Sequence, residues 1–290
     1  MRCRVQNPGA AFALLAVLCV GVSADADTAA AQSLWMARDG NPTLMLEVLQ
    51  PSLEGFNSEV FSAAFFLSGR VAVSPRVSAV GEIPFARHRS LYQVFYAEEL
   101  SNTTIGNPYV GLEFQLGSGP AFLEFGARPQ LVADNESFAT LTGRSSDLSR
   151  WEAFDDDAAS ILMAFNVREV TASKIAFRLR AGTSVVVGTS GDDIVYANYS
   201  FQIGYQGSKV RLGAAMAGRS QLTQSLGFSY DPLFDVFGHT NLGQRSTSQF
   251  ELHTDFLSGH IRPGLDLHLP LDPMGDFVPV VLGANISWTR

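Results

Sequence analysis

The charges of this chain fall at every second residue within stretches that are otherwise apolar. Arg168, Arg178, Arg180, Arg211 and Arg219 hold that phase in one part of the chain. Glu47, Glu82, Glu113, Glu124, Glu251, Asp255 and Asp266 hold it elsewhere, with His253 and His268 in step with them and Arg70, Arg128 and Arg262 interrupting the acids. An acidic arc facing a basic wall across a polar lumen sets up a transverse field that orients dipolar solutes and screens ions. The simpler alternative is that these groups pair across a narrow interior and close it.

Hairpin registers refine the chemistry. With Ser118 and Gly119 as turn residues, Leu116 faces Ala121 and Glu113 faces Glu124. Two carboxylates directly opposite repel and need an arginine, a cation or a shared proton. With Ser258 and Gly259 as the corresponding turn, Asp255 faces Arg262 as an ion pair and Glu251 faces Asp266, with both histidines on the same wall. His and carboxylate side chains together can ligate a metal. No spaced ligand motif accompanies them, so a hydrogen-bonded network is expected, with no metal and no cofactor. Nucleophilic catalysis needs a Ser and a His within reach and a third group to orient them. The neighbouring pair is His88 and Ser90 in "ARHRSLY", placed in an external loop without such a third group, so no enzyme is expected.

Twelve segments of period-2 alternation position these residues, near 43–50, 61–74, 76–86, 107–117, 120–132, 158–169, 174–187, 194–206, 209–219, 246–257, 260–270 and 277–289. No stretch reads as a capped amphipathic helix. Tight turns ("SPR", "GSGP", "TAS", "GSK", "SGH") alternate with longer connections, of which those joining segments 3–4, 5–6 and 9–10 are long polar loops. All tight turns therefore fall at one end of the strands and all longer connections at the other. The set in phase with Phe65, Leu67, Phe177, Leu179, Phe201, Ile203, Leu282 and Ile286 carries almost no charge. A soluble sandwich also alternates. Several of these strands, however, are longer than the five or six residues usual in soluble sheets and suit a tilted membrane crossing of about 9–11. Connection lengths segregate by end, and Trp288 stands where an interfacial anchor would. A soluble barrel with an apolar interior and a charged exterior is disfavoured by the same sorting. The apolar face is therefore expected to meet lipid, and backbone groups in lipid need internal partners, so the sheet must close.

The beginning of the chain fits that destination. Arg2 and Arg4 precede an apolar run from Ala10 to Val22, and small residues follow at Ala24 and Ala29 to Ala31. This is the pattern of a secretory signal peptide over residues 1–31, cleaved after Ala31 or Ala24. Both cysteines, Cys3 and Cys19, lie within it, so residues 32–290 hold none. The net charge of −8 argues against nucleic acid as a partner.

With "IGNPYVGLEFQLGSG" and "FVPVVLGANISWTR", the chain resembles the Gram-negative outer-membrane β-barrel superfamily, in particular small barrels of porin or passive-transporter type. The resemblance implies an all-β fold: a closed antiparallel transmembrane barrel of about 12 strands (10–14) in an up-and-down meander. It implies an integral outer-membrane location reached through the periplasm. The implied partners are outer-membrane lipid and lipopolysaccharide, the barrel-assembly machinery, and small polar solutes or ions. A closed structural or adhesive barrel and a lipid-modifying enzyme are the alternatives. Acidic stretches, "FDDDA" (Asp155–Asp157), "SGDD" and "SYDPLFDVFGHTN", then fall in external loops, where they either bridge lipopolysaccharide through divalent ions or are simply solvated.

Overall fold

The structure is a computed structural model, which describes residues 43–52, 62–92, 98–132, 137–155, 158–188, 193–223, 246–257, 259–271 and 278–289. The signal-peptide segment and most of the acidic loop stretches lie outside the described residues.

The described residues form thirteen strands: β1 (Thr43–Pro51), β2 (Ala63–Ser74), β3 (Val77–Tyr92), β4 (Glu98–Ile105), β5 (Tyr109–Gln115), β6 (Ala121–Arg128), β7 (Ala158–Val170), β8 (Ile175–Gly188), β9 (Asp193–Gln206), β10 (Val210–Gln221), β11 (Ser246–Phe256), β12 (Ile261–Pro270) and β13 (Val281–Thr289). All pairings are antiparallel between neighbours in sequence, except that β5 also pairs with β3 and β1 pairs with β13. β4 lies along the Phe85–Tyr92 half of β3 and β5 along its Val77–Glu82 half. The two are therefore one barrel strand broken at residues 106–108. Twelve barrel strands close on themselves in an up-and-down meander, as the alternation requires.

Burial decides which solvent each face meets. Ile161 is 62% exposed and Phe201 48%, whereas Glu124 and Arg211 are 0% and 2% exposed. Leu112, Met163, Leu179, Met216, Leu252 and Leu282 continue the exposed band around the barrel. A continuous apolar exterior around a charged interior is the inverse of a water-soluble fold and fits lipid.

The strand edges depart from expectation in two places. β3 does not end near residue 86 in a long loop; it continues to Tyr92 and pairs with β4 as a hairpin. That stretch is polar in sequence and carries no period-2 apolar signal, so alternation could not reveal it. The β11–β12 register also differs. Asp255 pairs with Gly264, not Arg262; Glu251 pairs with His268, and His253 with Asp266. The turn is longer than two residues: the Leu257 amide donates to Lys209 O of the neighbouring turn, and Gly259 takes a left-handed φ of 68°. Gly264, without a Cβ, leaves the space that the Asp255 carboxylate occupies. The expected facing of Leu116 with Ala121 and of Glu113 with Glu124 is observed.

Tyr109 lies inside the barrel across Gly111 and Gly126, where a Cβ would collide with its ring and hydroxyl. Gly126→Val should therefore destabilise the barrel by about 1–3 kcal/mol, as overpacking does. Gly119→Ala, with its nearest neighbour atom 3.9 Å from the added Cβ, should change stability by under about 0.5 kcal/mol. The temperature at which gel mobility shifts from the folded to the unfolded band reports both; equal temperatures for the two variants would refute the packing argument.

Candidate functional site

Between β6 and β7 the chain turns into the barrel instead of staying outside. Residues 138–146 form a helix, α1 (Phe138–Ser146), and Leu148–Phe154 a 3₁₀ helix. No helix was expected here, and the reason is compositional. "FATLTGRSS" holds Thr, Gly and Ser, which have poor intrinsic propensity, and lacks an apolar stripe. Local bonds replace propensity. Ser137 Oγ accepts from Thr140 N (3.1 Å) as an N-cap. Thr142, Ser145 and Ser146 donate back to carbonyls four residues earlier, at 2.9, 2.7 and 2.6 Å. Their hydroxyls can thus be buried on every side. Phe154 packs directly on Gly143, where any Cβ would strike its ring.

The segment rests on an apolar patch of the barrel wall. Leu141, Leu148, Trp151, Ala153 and Phe154 cluster with Leu49, Ala64, Phe66, Ala86, Val278 and Val281. Alternation alone assigns the inner face of β1–β3 and β13 to polar groups, so this apolar patch is a further correction to the sequence reading.

Polar anchors then fix its position. Arg150 is wholly buried. Its Nη2 donates to Glu47 Oε2 (2.5 Å), its Nη1 to Glu82 Oε2 (3.1 Å) and its Nε to Asp147 Oδ2 (2.6 Å). Its guanidinium also lies 3.7 Å over the Phe66 ring. Gln249 on β11 clamps the start of the 3₁₀ helix: Oε1 accepts Leu148 N (2.9 Å) and Nε2 donates to Asp147 Oδ1 (3.0 Å). Burial alone would raise the Asp147 carboxyl, but the charges of Arg150 and His268 and the hydrogen bonds from Ser149 and Arg150 hold it below its ordinary value of 3.8. A depressed carboxylate stabilises the docked state above its ordinary value and loses that contribution only as pH falls through the lower one. The Asp147 anchor therefore holds throughout the neutral and mildly acidic range.

The strand break is the third anchor. Asn107 N donates to Ala153 O (2.6 Å), and its side chain donates to Glu152 O (3.0 Å) and Asp155 O (2.5 Å). Gly106 is required beside it, since a Cβ there would meet Ala153 O, Pro84 and Phe154. On the far wall Glu152 pairs with Arg219 Nη1 at 3.0 Å.

The remaining inward charges pair along the wall. The Glu113–Glu124 juxtaposition is answered by arginines. Arg70 and Arg168 approach Glu113 at 2.8 and 3.6 Å; Arg180 approaches Glu124 at 3.3 Å, and Tyr109 Oη donates to Glu124 at 2.5 Å. Arg128 Nη2 meets Glu82 Oε1 at 2.5 Å, and Arg211 lies 3.9 Å from Asp255. These partners stand on adjacent strands or one strand apart; none of these contacts crosses the lumen. Arg168 and Arg178 are cross-strand neighbours, and Arg178 donates to Gln202 (3.2 Å). His268 Nε2 lies 4.0 Å from Glu251, Asp266 accepts from Asn285 (2.7 Å), and His253 contacts Gln202 Nε2 (2.8 Å to Nε2). Among the described residues no group of three or more His, Cys, Asp or Glu is arranged to hold a metal.

His88 is not in an external loop. It is buried on β3, with Ser62 Oγ and Thr142 Oγ1 each 3.2 Å from its Nδ1 and the Phe138 ring stacked at 5.1 Å. Both hydroxyls address the same ring nitrogen, and through Thr142 the histidine ties β3 to α1. Sequence reasoning missed Asp147, Arg150, Glu152, Gln249 and Asn107. One available signal was the Gly106-Asn107-Pro108 interruption of a strand.

No family model and no curated protein sequence matches the chain. Solved structures do. An outer-membrane channel from Pseudomonas putida F1 superposes with a TM-score of 0.55 at 11% identity, over 90% of this chain and all of that one. The fold is that of the outer-membrane β-barrels. LpxR from Salmonella typhimurium (TM-score 0.50, 9% identity, 86% of this chain and 100% of that one) and the NanC porin (0.50, 8%, 85% and 99%) share it.

Arg150→Met keeps the volume and removes the charge that three buried acids share. Breaking a buried pair from one side costs about 3–5 kcal/mol. The barrel should retain its heat-modifiable mobility while residues 137–155 lose hydrogen-exchange protection. Protection equal to that of the unaltered chain would show that the ion pairs do not hold the segment.

Proposed function

We propose that this protein is an outer-membrane channel or passive transporter for small polar solutes, with residues 137–155 as its internal constriction. One observation carries the reading: apart from the contacts of Arg150 and Glu152 on the inserted segment, the ion pairs of the inner face run between neighbouring or next-but-one strands and do not span the lumen. A barrel built only as a solid post would place its ion pairs across the lumen. In this reading the Arg168, Arg178, Arg180, Arg211 and Arg219 wall, met by Glu152 of the inserted segment at Arg219, supplies the field at the constriction. The signal-peptide pattern takes the chain through the periplasm, the tight turns face that side, and the longer loops meet lipopolysaccharide. The channel from Pseudomonas putida and the NanC porin support the reading through shared architecture.

The second reading is a closed structural barrel acting through its loops. The depth at which Arg150 and Phe154 are buried favours it, because a segment held so firmly blocks passage. A lipid-modifying enzyme is the third reading: the Ser62–His88 contact it would need is buried beneath α1, where Thr142 also meets the His88 Nδ1.

Planar-bilayer recording separates these readings. Replacing residues 137–155 by a short Gly/Ser linker should raise single-channel conductance several-fold over the unaltered chain. Arg178→Glu/Arg180→Glu should shift ion selectivity toward cations. If the linker variant inserts, as judged by heat-modifiable mobility, and stays silent, the channel reading fails and the external loops become the site of action.

A further inference from the structure

At the tight-turn end the lumen opens into a cavity of about 520 Å³. That volume lies within the range of small-molecule sites, roughly 300–1,000 Å³. Lys174, Arg211 and Arg262 line it together with Gln206, Ser208 and an apolar edge at Leu257. Three cations and no acid are present among its lining residues. Asp255 stands 3.9 Å from Arg211 at the edge of this cluster.

The cations are placed, not splayed. Arg211 and Arg262 are buried at 2% and 6% exposure. Arg211 Nη2 donates to Gln206 Oε1 (3.5 Å), and Arg262 Nε donates to Gly259 O (3.2 Å). Lys174 stands at φ 65°, in the left-handed region, where glycine would be the unstrained choice. Two guanidinium forks and an ammonium converging on one cavity match the geometry and charge of an oxyanion. From there the cross-strand pair Arg168 and Arg178 continues the basic wall, followed by Arg180.

We propose that this vestibule binds small oxyanions, carboxylate- or phosphate-bearing solutes, and is the selectivity site of the channel. The selectivity role rests on the channel reading; the binding does not.

The test is calorimetric titration of the refolded chain in detergent at low ionic strength, with succinate, inorganic phosphate and, as a neutral control, glucose. Saturable binding of succinate or phosphate but not glucose is expected, and which anion binds more tightly names the preferred source of the oxyanion. Arg211→Gln and Arg262→Gln should each weaken binding about tenfold, the loss of one charge-assisted contact. Lys174→Gln, at an exposed turn, should also weaken it and keeps the test valid if an arginine variant fails to fold. Absence of saturable anion binding, or equal affinity in the unaltered chain and Lys174→Gln, overturns the proposal. The two readings fail separately. A chain that conducts without binding anions loses the vestibule and keeps the channel; one that binds anions and never conducts keeps the vestibule and loses the channel.

Discussion

A sheet in lipid cannot have an edge, and everything inside this barrel follows from that constraint. Each unpaired backbone group in hydrocarbon costs several kcal/mol, so β13 must return to β1. Closure assigns one residue in two to lipid and the other to an interior that cannot be filled by the same apolar residues. Charge on the inner face is then cheap in sequence terms but has to be satisfied locally. The arginines on β2, β7 and β8 do this for Glu113 and Glu124, which the hairpin register forces together.

Residues 137–155 exploit the same interior in a different way. They bring a second apolar core into a barrel whose main apolar surface faces outward. Trp151 and Phe154 meet Phe66 and Leu49 away from lipid, while Arg150 meets acids from β1 and β3. A buried arginine among three carboxylates is weak as a source of net stability, since desolvation offsets most of the attraction. Its value is positional. An apolar patch would accept the segment in several poses, whereas Arg150, Gln249 and Asn107 each accept one.

The strand phases were legible because lipid selects an apolar residue at every second position of every strand, a signal that repeats around the barrel. The Glu113–Glu124 facing was legible because residues 117–120 turn tightly. The β11–β12 register was not, because its turn is longer than its Ser-Gly pair suggests and the room that sets it comes from Gly264, nine residues from Asp255. α1 was illegible for a deeper reason. A helix enclosed by a barrel on all sides needs no amphipathic stripe, so "FATLTGRSS" shows no period. The Arg150 site draws on residues 47, 82 and 147, and no local window contains them. Two clues were present in hindsight: "AAFF" at 63–66 is apolar in both phases, and Gly106-Asn107-Pro108 interrupts a strand that otherwise has no reason to stop.

The attachments of the segment differ from one side of the lumen to the other in how far they are shielded from water. Toward β1–β3 and β13 it is held by apolar burial, by Arg150 and by the Asn107 main-chain bond, all shielded from water. Toward β10 and β11 it is held by the Glu152–Arg219 pair at 3.0 Å and by the Gln249 clamp on Asp147 and Leu148. Coulomb attraction weakens steeply with dielectric and with salt, whereas apolar contact does not. Of the ion pairs that join the segment to the wall, Glu152–Arg219 is the more exposed, with the Glu152 side chain 10% accessible against at most 2% in the Arg150–Glu47 and Arg150–Glu82 pairs, so it is the one that a rise in salt or local dielectric weakens first.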